Sequence, residues 1–294
     1  PGENFNMVLY TGDGAVSHAI TGVGFQPDMN WVKARSFIKD HNLVDSVRGA
    51  HFRLIPNGTN EENEDAEKII SLDSDGFTTG VDGATNDNTE TYVAWNWLAG
   101  GAPTVDNSAA AGATPTAGSV KIDGSNLGSA LAGSIPAIRL SANTESGFSI
   151  VQYQGNVTSG ATVAHGLSQA PEFTILRNYD ADHDWQTYAE PIGNTKYLSI
   201  NSTSSESTSS TRWNDTTPSP SVITLGNSNP VNASGEDIII YCFHGVEGYS
   251  KVGSWTGNNN TDGPFIYTGM RPAMVIIKNY GASGAWVMQD NKRL

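Results

Sequence analysis

The side chains best suited to metal binding or catalysis are acidic. They are densest from Asp180 to Asp184, where the sequence is Asp-Ala-Asp-His-Asp. Alternate carboxylates in such a run can direct their oxygens at one calcium ion. A twelve-residue EF-hand loop also requires glycine at its sixth place and glutamate at its twelfth. Those places hold Trp185 and Pro191, so the run indicates a solvated acidic turn between strands. We therefore predict no metal site.

Catalytic groups do not stand out in the rest of the chain. The six histidines show no metal-ligand spacing, and neither a Gly-x-Ser-x-Gly elbow nor a phosphate-binding loop occurs. The single cysteine, Cys242, lies in the apolar run from Ile238 to Phe243, where a buried, inert thiol is expected. Two facing carboxylates could form a glycosidase site, but among 30 acidic residues the sequence selects no pair. We predict no catalytic residue and no cofactor.

Aromatic side chains are the candidates for binding a sugar, because their flat apolar faces can stack on a sugar ring. Trp213 stands in a polar loop rich in Ser and Thr, between Arg212 and Asn214. We predict that Arg212, Trp213 and Asn214 contact a glycan. Other aromatic residues recur at equivalent places of an internal repeat, which favours a role in the core. These are Tyr10, Tyr153, Trp255, Trp185 and Trp286.

The internal repeat runs through the whole chain in three copies. Each copy begins with an aromatic residue and a Gly turn. A Pro follows about fifteen residues after that Gly, with a second Gly shortly before the Pro, and a base follows six residues after the Pro. The bases are Lys33, Arg177 and Lys278, which we predict to solvate the surface or to pair with a nearby acid. The third copy reaches Leu294 near the middle of its pattern, so we expect a segment of a longer protein or a disordered remainder. Such a repeat makes most prominent residues parts of a building block.

Short β-branched and aromatic runs between Gly, Asn, Asp and Pro predict strands. Residues 237–243 are nearly all apolar and fit a central strand that is covered on both faces. The best helical candidate is residues 61–70, which are rich in acids. The fold class is therefore all-β, with tandem β-sandwich-like repeat domains and little helix.

The repeat divides the chain into domains. We predict a β repeat domain 1 over residues 1–98, a β repeat domain 2 over residues 147–247 and the start of a third repeat over residues 248–294. Residues 99–146 have no counterpart in the second copy and are rich in Ala, Gly, Ser and Thr. They predict a linker or insertion with one short strand near Val120.

Composition excludes some partners. A net charge of −14 argues against nucleic acid, whose phosphates would repel the chain. No apolar stretch approaches the length needed to span a membrane. Negative charge suits the surface of a dispersed particle.

Several strings together resemble a repeat family of tailed-phage structural proteins, found in marine phages and labelled as tail-fibre or virion appendage proteins. The strings are residues 4–14, 22–28, 45–49, 92–97 and 248–253. The resemblance covers essentially the whole chain and implies a modular fibre-like protein, with no catalytic residues to carry over. The family pattern continues beyond Arg293.

These observations predict a non-enzymatic virion structural protein, a tail fibre or another capsid or tail appendage, on the surface of the extracellular particle. Its expected partners are other virion proteins, further copies of itself and a host-surface glycan bound at exposed loops. Two alternatives remain open at this point. One is a polysaccharide depolymerase of a phage tail, and the other is a bacterial extracellular filament or adhesin.

Overall fold

The computed structural model describes residues 3–293, which form three successive units. We call residues 3–98 unit 1, residues 99–247 unit 2 and residues 248–293 unit 3. Unit 1 consists of β1 (Phe5–Thr11), β2 (His18–Thr21), β3 (Met29–Ala34), β4 (Asn42–Asp45), β5 (Gly49–Leu54), β6 (Asn63–Glu64), β7 (Ile69–Asp73), β8 (Gly76–Thr79), the helix α1 (Gly83–Asn86) and β9 (Thr91–Trp97).

Unit 1 is a β-sandwich. An antiparallel sheet with the order β1-β9-β3-β4-β5-β6 packs on a three-stranded sheet, β2-β8-β7. Because side chains alternate along a strand, Tyr92 and Ala94 of β9 join Phe77 in the core between the two sheets. Trp95, from the same strand, faces the other way and joins a second core. The large sheet is therefore buried on both faces.

Unit 2 repeats this plan with additions. It consists of β10 (Val120–Ile122), β11 (Ser125–Asn126), β12 (Ala137–Asn143), β13 (Phe148–Gln154), β14 (Ala161–Ala164), β15 (Phe173–Asn178), β16 (Gln186–Ala189), a 3₁₀ turn (Glu190–Ile192), β17 (Lys196–Tyr197), β18 (Ser207–Thr208), α2 (Ser210–Trp213), β19 (Val222–Leu225), α3 (Asn229–Asn232) and β20 (Asp237–Phe243). The large sheet has the order β11-β10-β12-β13-β20-β15-β16 and packs on the pair β14-β19. As predicted, β20 is the central strand and is buried on both faces. The fold class is confirmed: the chain is all-β, with tandem β-sandwich-like domains.

Residues 99–146 were predicted to be a linker or an insertion, and the structure shows that a linker is wrong. The strand near Val120 is present, but it pairs in parallel with β12, and β12 pairs along its length with β13. Leu131, Ile135 and Leu140 lie in the core of unit 2. The many small residues of this segment form turns between strands, and the sparse apolar residues are those that pack. The segment thus supplies the three strands at one edge of the large sheet of unit 2.

The prediction of a helix over residues 61–70 is also wrong. Asn63–Glu64 pairs with β5, and Ile69–Asp73 pairs with β8. Between these strands, the Asp65 carboxylate accepts a 3.0 Å hydrogen bond from the backbone N–H of Glu67, which is a turn conformation that competes with a helix. Burial of Ile69 in the core between the two sheets of unit 1 favours the extended backbone.

Unit 3 contains β21 (Met274–Ile277) and β22 (Val287–Asp290), which pair antiparallel. They occupy the places that β3 and β4 hold in unit 1 and that β15 and β16 hold in unit 2. Phe5, Phe148 and Ile239 contribute to one core that units 1 and 2 share, and Met274 and Met288 of unit 3 pack against it. None of the helices among residues 3–293 is long and apolar enough to cross a membrane.

Candidate functional site

The predicted glycan residue Trp213 is in the core of unit 2. Its side chain is only 2% exposed, and its Nε1–H donates a 3.0 Å hydrogen bond to the carbonyl oxygen of Lys196. The ring packs edge-on against Tyr188, with 6.1 Å between the centroids. A sugar cannot stack on a ring that is covered in this way, so the prediction of a glycan platform at Trp213 is wrong. The polar composition of the loop gave no indication of the short helix α2, which directs the Trp213 side chain into the core.

The two neighbours of Trp213 lie in separate surroundings. The Arg212 guanidinium lies over the ring of Tyr197 at 4.7 Å and donates a 2.8 Å hydrogen bond to Gln186. Asn214 takes a left-handed conformation with φ 51° after α2, and its Oδ1 accepts a 2.7 Å hydrogen bond from Ser159. The three residues that follow one another in sequence therefore do not form one site.

The repeated bases connect neighbouring units. Arg177 is fully buried, and its Nη2 donates hydrogen bonds of 2.5 Å to the carbonyl of Thr59 and 2.7 Å to that of Asn60, both in unit 1. Lys278 donates a 3.0 Å hydrogen bond to the carbonyl of Thr203, in unit 2. For Arg177 and Lys278, the prediction that the repeated bases solvate the surface or pair with acids is wrong, because both bind backbone carbonyls of the preceding unit.

The carbonyls belong to a loop that recurs in units 1 and 2. We call residues 55–62 and 199–206 the interface loops. Indole Nε1–H groups donate hydrogen bonds of 3.0 Å to the first carbonyl of each loop, from Trp185 to Ile55 and from Trp286 to Ser199. At the other end, the last backbone N–H of each loop donates at 2.8 Å to a carbonyl of the next unit, from Glu62 to Tyr179 and from Glu206 to Tyr280. Unit 2 therefore binds unit 1 in the same way as unit 3 binds unit 2.

A buried ion pair makes a second contact between units 1 and 2. Arg48 and Asp45 are joined at 2.7 Å, and both side chains are almost fully buried. Arg48 also pairs with Glu62 at 2.7 Å. The Asp45 carboxylate accepts a 2.6 Å hydrogen bond from the hydroxyl of Tyr241, in the central strand of unit 2. Burial is the largest cause that raises the pKa of Tyr241 well above its ordinary value, so this hydroxyl is a hydrogen-bond donor at neutral pH.

The same pair recurs between units 3 and 1. Arg293 donates a 2.5 Å hydrogen bond to Asp290, and its guanidinium lies over the ring of Trp95 at 4.9 Å. The Trp95 Nε1–H donates to the Asp290 carboxylate at 3.2 Å. Trp95 and Tyr241 occupy equivalent positions in their sheets. Trp95 pairs with Trp31 in unit 1, and Tyr241 pairs with Ile175 in unit 2. Unit 1 thus contacts unit 2, unit 2 contacts unit 3, and unit 3 contacts unit 1.

A cavity of about 850 Å³ lies where units 1, 2 and 3 meet. Its lining includes Lys33 and His41, which are the unit 1 counterparts of Arg177 and Trp185. The Lys33 ammonium donates a hydrogen bond to the carbonyl of the adjacent Ala34. Burial, with a smaller effect of Lys33, lowers the pKa of His41 to about 4, so His41 is neutral at pH 7. Pro56, Asn57 and residues 200–203, which belong to the two interface loops, also line this cavity.

Reactive groups elsewhere are few. Burial raises the pKa of the Cys242 thiol to about 12, which confirms the prediction of an inert, buried cysteine. In the part of the chain that the structure describes, no three His, Cys, Asp or Glu side chains come together as a metal site. Around the acidic turn, Asp180 accepts a hydrogen bond from the backbone N–H of Asp237 and Asp184 accepts one from Asn201.

The interface residues were not identified as a site from the sequence, although a signal exists. The pattern Asp-x-x-Arg occurs at Asp45–Arg48 and again at Asp290–Arg293, at equivalent places in units 1 and 3. The structure places each pair against the central strand of another unit. The Asp-x-x-Arg motif, which units 1 and 3 share and unit 2 lacks, was therefore the indication in the sequence of a contact between units.

Comparison with protein families assigns the chain. The model of a family described as a domain of unknown function, DUF7483, matches it twice, over residues 1–121 and 121–294. The chain belongs to this family. No curated protein and no solved structure matches it. Residue 121 lies within β10, inside the sheet of unit 2, so the structural units meet earlier in the chain than the two matches do.

Proposed function

We propose that this member of the DUF7483 family is a non-enzymatic structural protein of a phage virion, a tail fibre or another capsid or tail appendage. The observation that supports this most is the use of equivalent contacts between successive units. Trp185 and Trp286 donate to equivalent carbonyls, and Arg177 and Lys278 reach equivalent loops. Head-to-tail contacts of this kind build rings and filaments.

The side chains that were candidates for chemistry serve packing in this arrangement. Arg177, Asp45 and Arg48 are buried between units, and their polar atoms bind protein groups. A shared aromatic core with buried ion pairs favours a rigid module, and rigidity is what an appendage requires. Other virion proteins and further copies of the chain are the partners in this proposal. The proposal also includes attachment to a host-surface glycan through exposed loops.

The test is electron cryomicroscopy of the native assembly from which the chain is isolated, combined with labelling by an antibody to the chain. We expect density for the three units on a capsid or tail, at a symmetric position. A free filament with no capsid or tail protein would overturn the proposal in favour of a bacterial filament or adhesin. Loss of viscosity of a host polysaccharide treated with purified chain would overturn it in favour of a depolymerase.

A further inference from the structure

A smaller cavity of about 330 Å³ lies in unit 2, at its boundary with unit 1. Its walls come from the turn before β16, from β17 and β18 with the interface loop between them, and from the helix α2. Thr59 of the first interface loop also lines it, so the cavity is complete only where units 1 and 2 are packed together. We call it the polar pocket, because its lining includes Asp182, His183, Gln186, Arg212 and several serines.

Gln186 gives the polar pocket a buried donor. Its side chain is 2% exposed, its Oε1 accepts a 2.8 Å hydrogen bond from Arg212, and its Nε2 donates one of 2.8 Å to the carbonyl of Asp184. An amide nitrogen has two N–H groups, and the second has no partner among residues 3–293. Arg212 is held by Gln186 and by the ring of Tyr197, and its Nη2 makes no hydrogen bond with those residues. A buried donor without a partner costs free energy, so the pocket favours a ligand that accepts hydrogen bonds.

The polar pocket also contains acceptors and groups that both donate and accept. The Asp182 carboxylate makes no hydrogen bond or ion pair within residues 3–293, and the hydroxyls of Ser199, Ser205 and Ser207 make no hydrogen bond there. A carboxylate only accepts, a guanidinium only donates and a hydroxyl does both. The pocket brings all three kinds of group together in a volume near the lower end for ligand pockets, which is about 300 Å³.

Two polar residues of the pocket have apolar counterparts in unit 1. Asp182 and Ser199 take the places that Ile38 and Ile55 hold, counted from the repeated base and from the carbonyl that accepts from an indole. Both units form the same kind of sandwich with either type of residue at these places. The repeated fold therefore does not require the polar side chains, whereas a polar ligand accounts for them.

We infer that the polar pocket binds one ring of a neutral, polyhydroxylated ligand, which is a single sugar residue of a glycan. A sugar hydroxyl donates and accepts as a serine hydroxyl does, and this matches a lining that mixes carboxylate, guanidinium, amide and hydroxyl groups. The sugar is held by hydrogen bonds, in contrast to stacking on Trp213, whose ring is covered. The inference rests on the proposed function for its biological role, attachment to a host-surface glycan, but sugar binding itself requires no virion.

Other classes of ligand match the polar pocket less well. Calcium takes about six to eight oxygen ligands, and within the described residues no three His, Cys, Asp or Glu side chains come together as a metal site. An anion would meet the carboxylates of Asp182 and Asp184. An apolar molecule would leave the buried N–H of Gln186 unpaired. Trp255, whose predicted place in the core is wrong because it is 45% exposed, lies in unit 3 and does not line this pocket.

The test is an NMR titration of the full chain, labelled with ¹⁵N, with glucose, galactose, mannose, rhamnose and N-acetylglucosamine in turn. The readouts are the backbone amide shifts and the ring signals of His183, which lines the pocket. We expect at least one sugar to bind with a Kd of about 1 mM or tighter, and its shifts to be confined to unit 2 and the first interface loop. No shift with any of these sugars at a concentration about a hundred times that Kd would overturn the inference, as would shifts confined to other parts of the chain.

Variants of the pocket residues decide whether they make the contact. Asp182→Ala should raise the Kd by about tenfold or more, because a hydrogen bond to a charged group is lost. The matched control is Glu190→Ala, which removes an exposed acid of unit 2 outside the pocket and should leave the Kd unchanged. Ser199→Ile introduces the residue of unit 1 and should abolish binding by filling the pocket. An equal loss in Glu190→Ala, or unchanged binding in Ser199→Ile, would contradict the assignment.

Two further outcomes separate this inference from its alternatives. Shifts of the pocket signals with calcium chloride but with no sugar would replace the sugar with a cation. Sugar binding by a chain that labels no capsid or tail would refute the virion proposal and leave the pocket intact. A chain that labels a virion but binds no sugar would refute the pocket alone.

Discussion

At the scale of single residues, Arg48 has a large effect on stability, because its buried charge pairs with the buried Asp45 and with the partly exposed Glu62. Its guanidinium pairs with Asp45 and Glu62 at 2.7 Å and lies over the ring of Tyr179, a residue of the shared core. Removing one partner of a buried pair leaves an uncompensated charge, which costs about 3–5 kcal/mol. We therefore expect Arg48→Met to lower the free energy of unfolding in urea by this amount.

The exposed Arg35 provides the matched control, and Arg35→Met should change stability by about 0.5 kcal/mol or less. In the double variant Arg48→Met with Asp45→Leu, part of the loss should be recovered, because the buried charge of Asp45 is removed with that of Arg48 and only the partly exposed Glu62 loses its partner. A loss below about 1 kcal/mol for Arg48→Met would contradict the structure of this ion pair.

His165 makes stability depend on pH. Its Nδ1 accepts from the backbone N–H of Leu167 at 3.1 Å, and its Nε2 lies 3.0 Å from the carbonyl of Ser219. Nδ1 can accept that hydrogen bond only in the neutral ring. Burial lowers the pKa of His165 from 6.5 to about 4. The unfolded chain therefore takes up the proton first as the pH falls, so this contribution to stability is complete above pH 6.5 and is lost down to pH 4.

The size of this effect follows from the shift, at about 1.4 kcal/mol for each pKa unit, and reaches about 3 kcal/mol at most. We expect His165→Gln to flatten the fall in unfolding free energy between pH 6.5 and pH 4.5, relative to the unaltered chain. His41, whose pKa is also lowered to about 4, keeps part of the fall in both proteins. Parallel curves for the two proteins would contradict a neutral, buried His165.

At the scale of elements, residues 251–273 are the segment with the weakest support. They form no regular strand and include the exposed residues Trp255, Phe265 and Tyr267. Local opening is easiest where few backbone groups are paired. Limited trypsin digestion should therefore cut first after Lys251, because Arg271 precedes Pro272 and trypsin does not cleave an Arg–Pro bond. Mass spectrometry of the products identifies the site. A first cut inside units 1 or 2, for example after Lys68, would contradict this order of stability.

The strands were the most predictable elements, and pairing partners explain the errors. Residues 237–243 were identified as a central strand because an almost continuous apolar run suits burial on both faces. Residues 61–70 were misassigned to a helix, since acids favour a first helical turn, but pairing with β5 and β8 prevailed. Residues 99–146 were assigned to a linker or insertion because small residues outnumber the few apolar ones that enter the core.

Sites between units were the least predictable feature. Nothing local distinguishes a base that solvates the surface from Arg177, which ends a buried strand and binds carbonyls more than a hundred residues away. Trp213 was misjudged for the opposite reason, because its neighbours are polar while its own ring is covered. In both cases the deciding partner lies far away in sequence, and local composition carries no information about it.

At the scale of the molecule, the contacts among the three units follow one direction around a closed circuit. Unit 1 reaches unit 2 through Asp45, unit 3 reaches unit 1 through Asp290, and the interface loops join successive units. Such heterologous contacts close when the rotation between units matches the number of units. Three repeats in one chain thus resemble the arrangement of a trimer, with the covalent chain fixing the order.

The shared core has a consequence for unfolding. The inner faces of the two large sheets contribute to one cluster, in which Trp185 of unit 2 also donates to Ile55 of unit 1. If the large sheet of one unit unfolds, the face of the other large sheet that packs in this shared core becomes exposed to solvent. We expect units 1 and 2 to unfold in a single calorimetric transition whose calorimetric and van't Hoff enthalpies agree. Trp185→Ala should lower stability by about 3–5 kcal/mol without splitting that transition, because it weakens both units together. Two separate transitions in the unaltered chain would show that the units are independent domains, and the circuit of contacts would then have no energetic role.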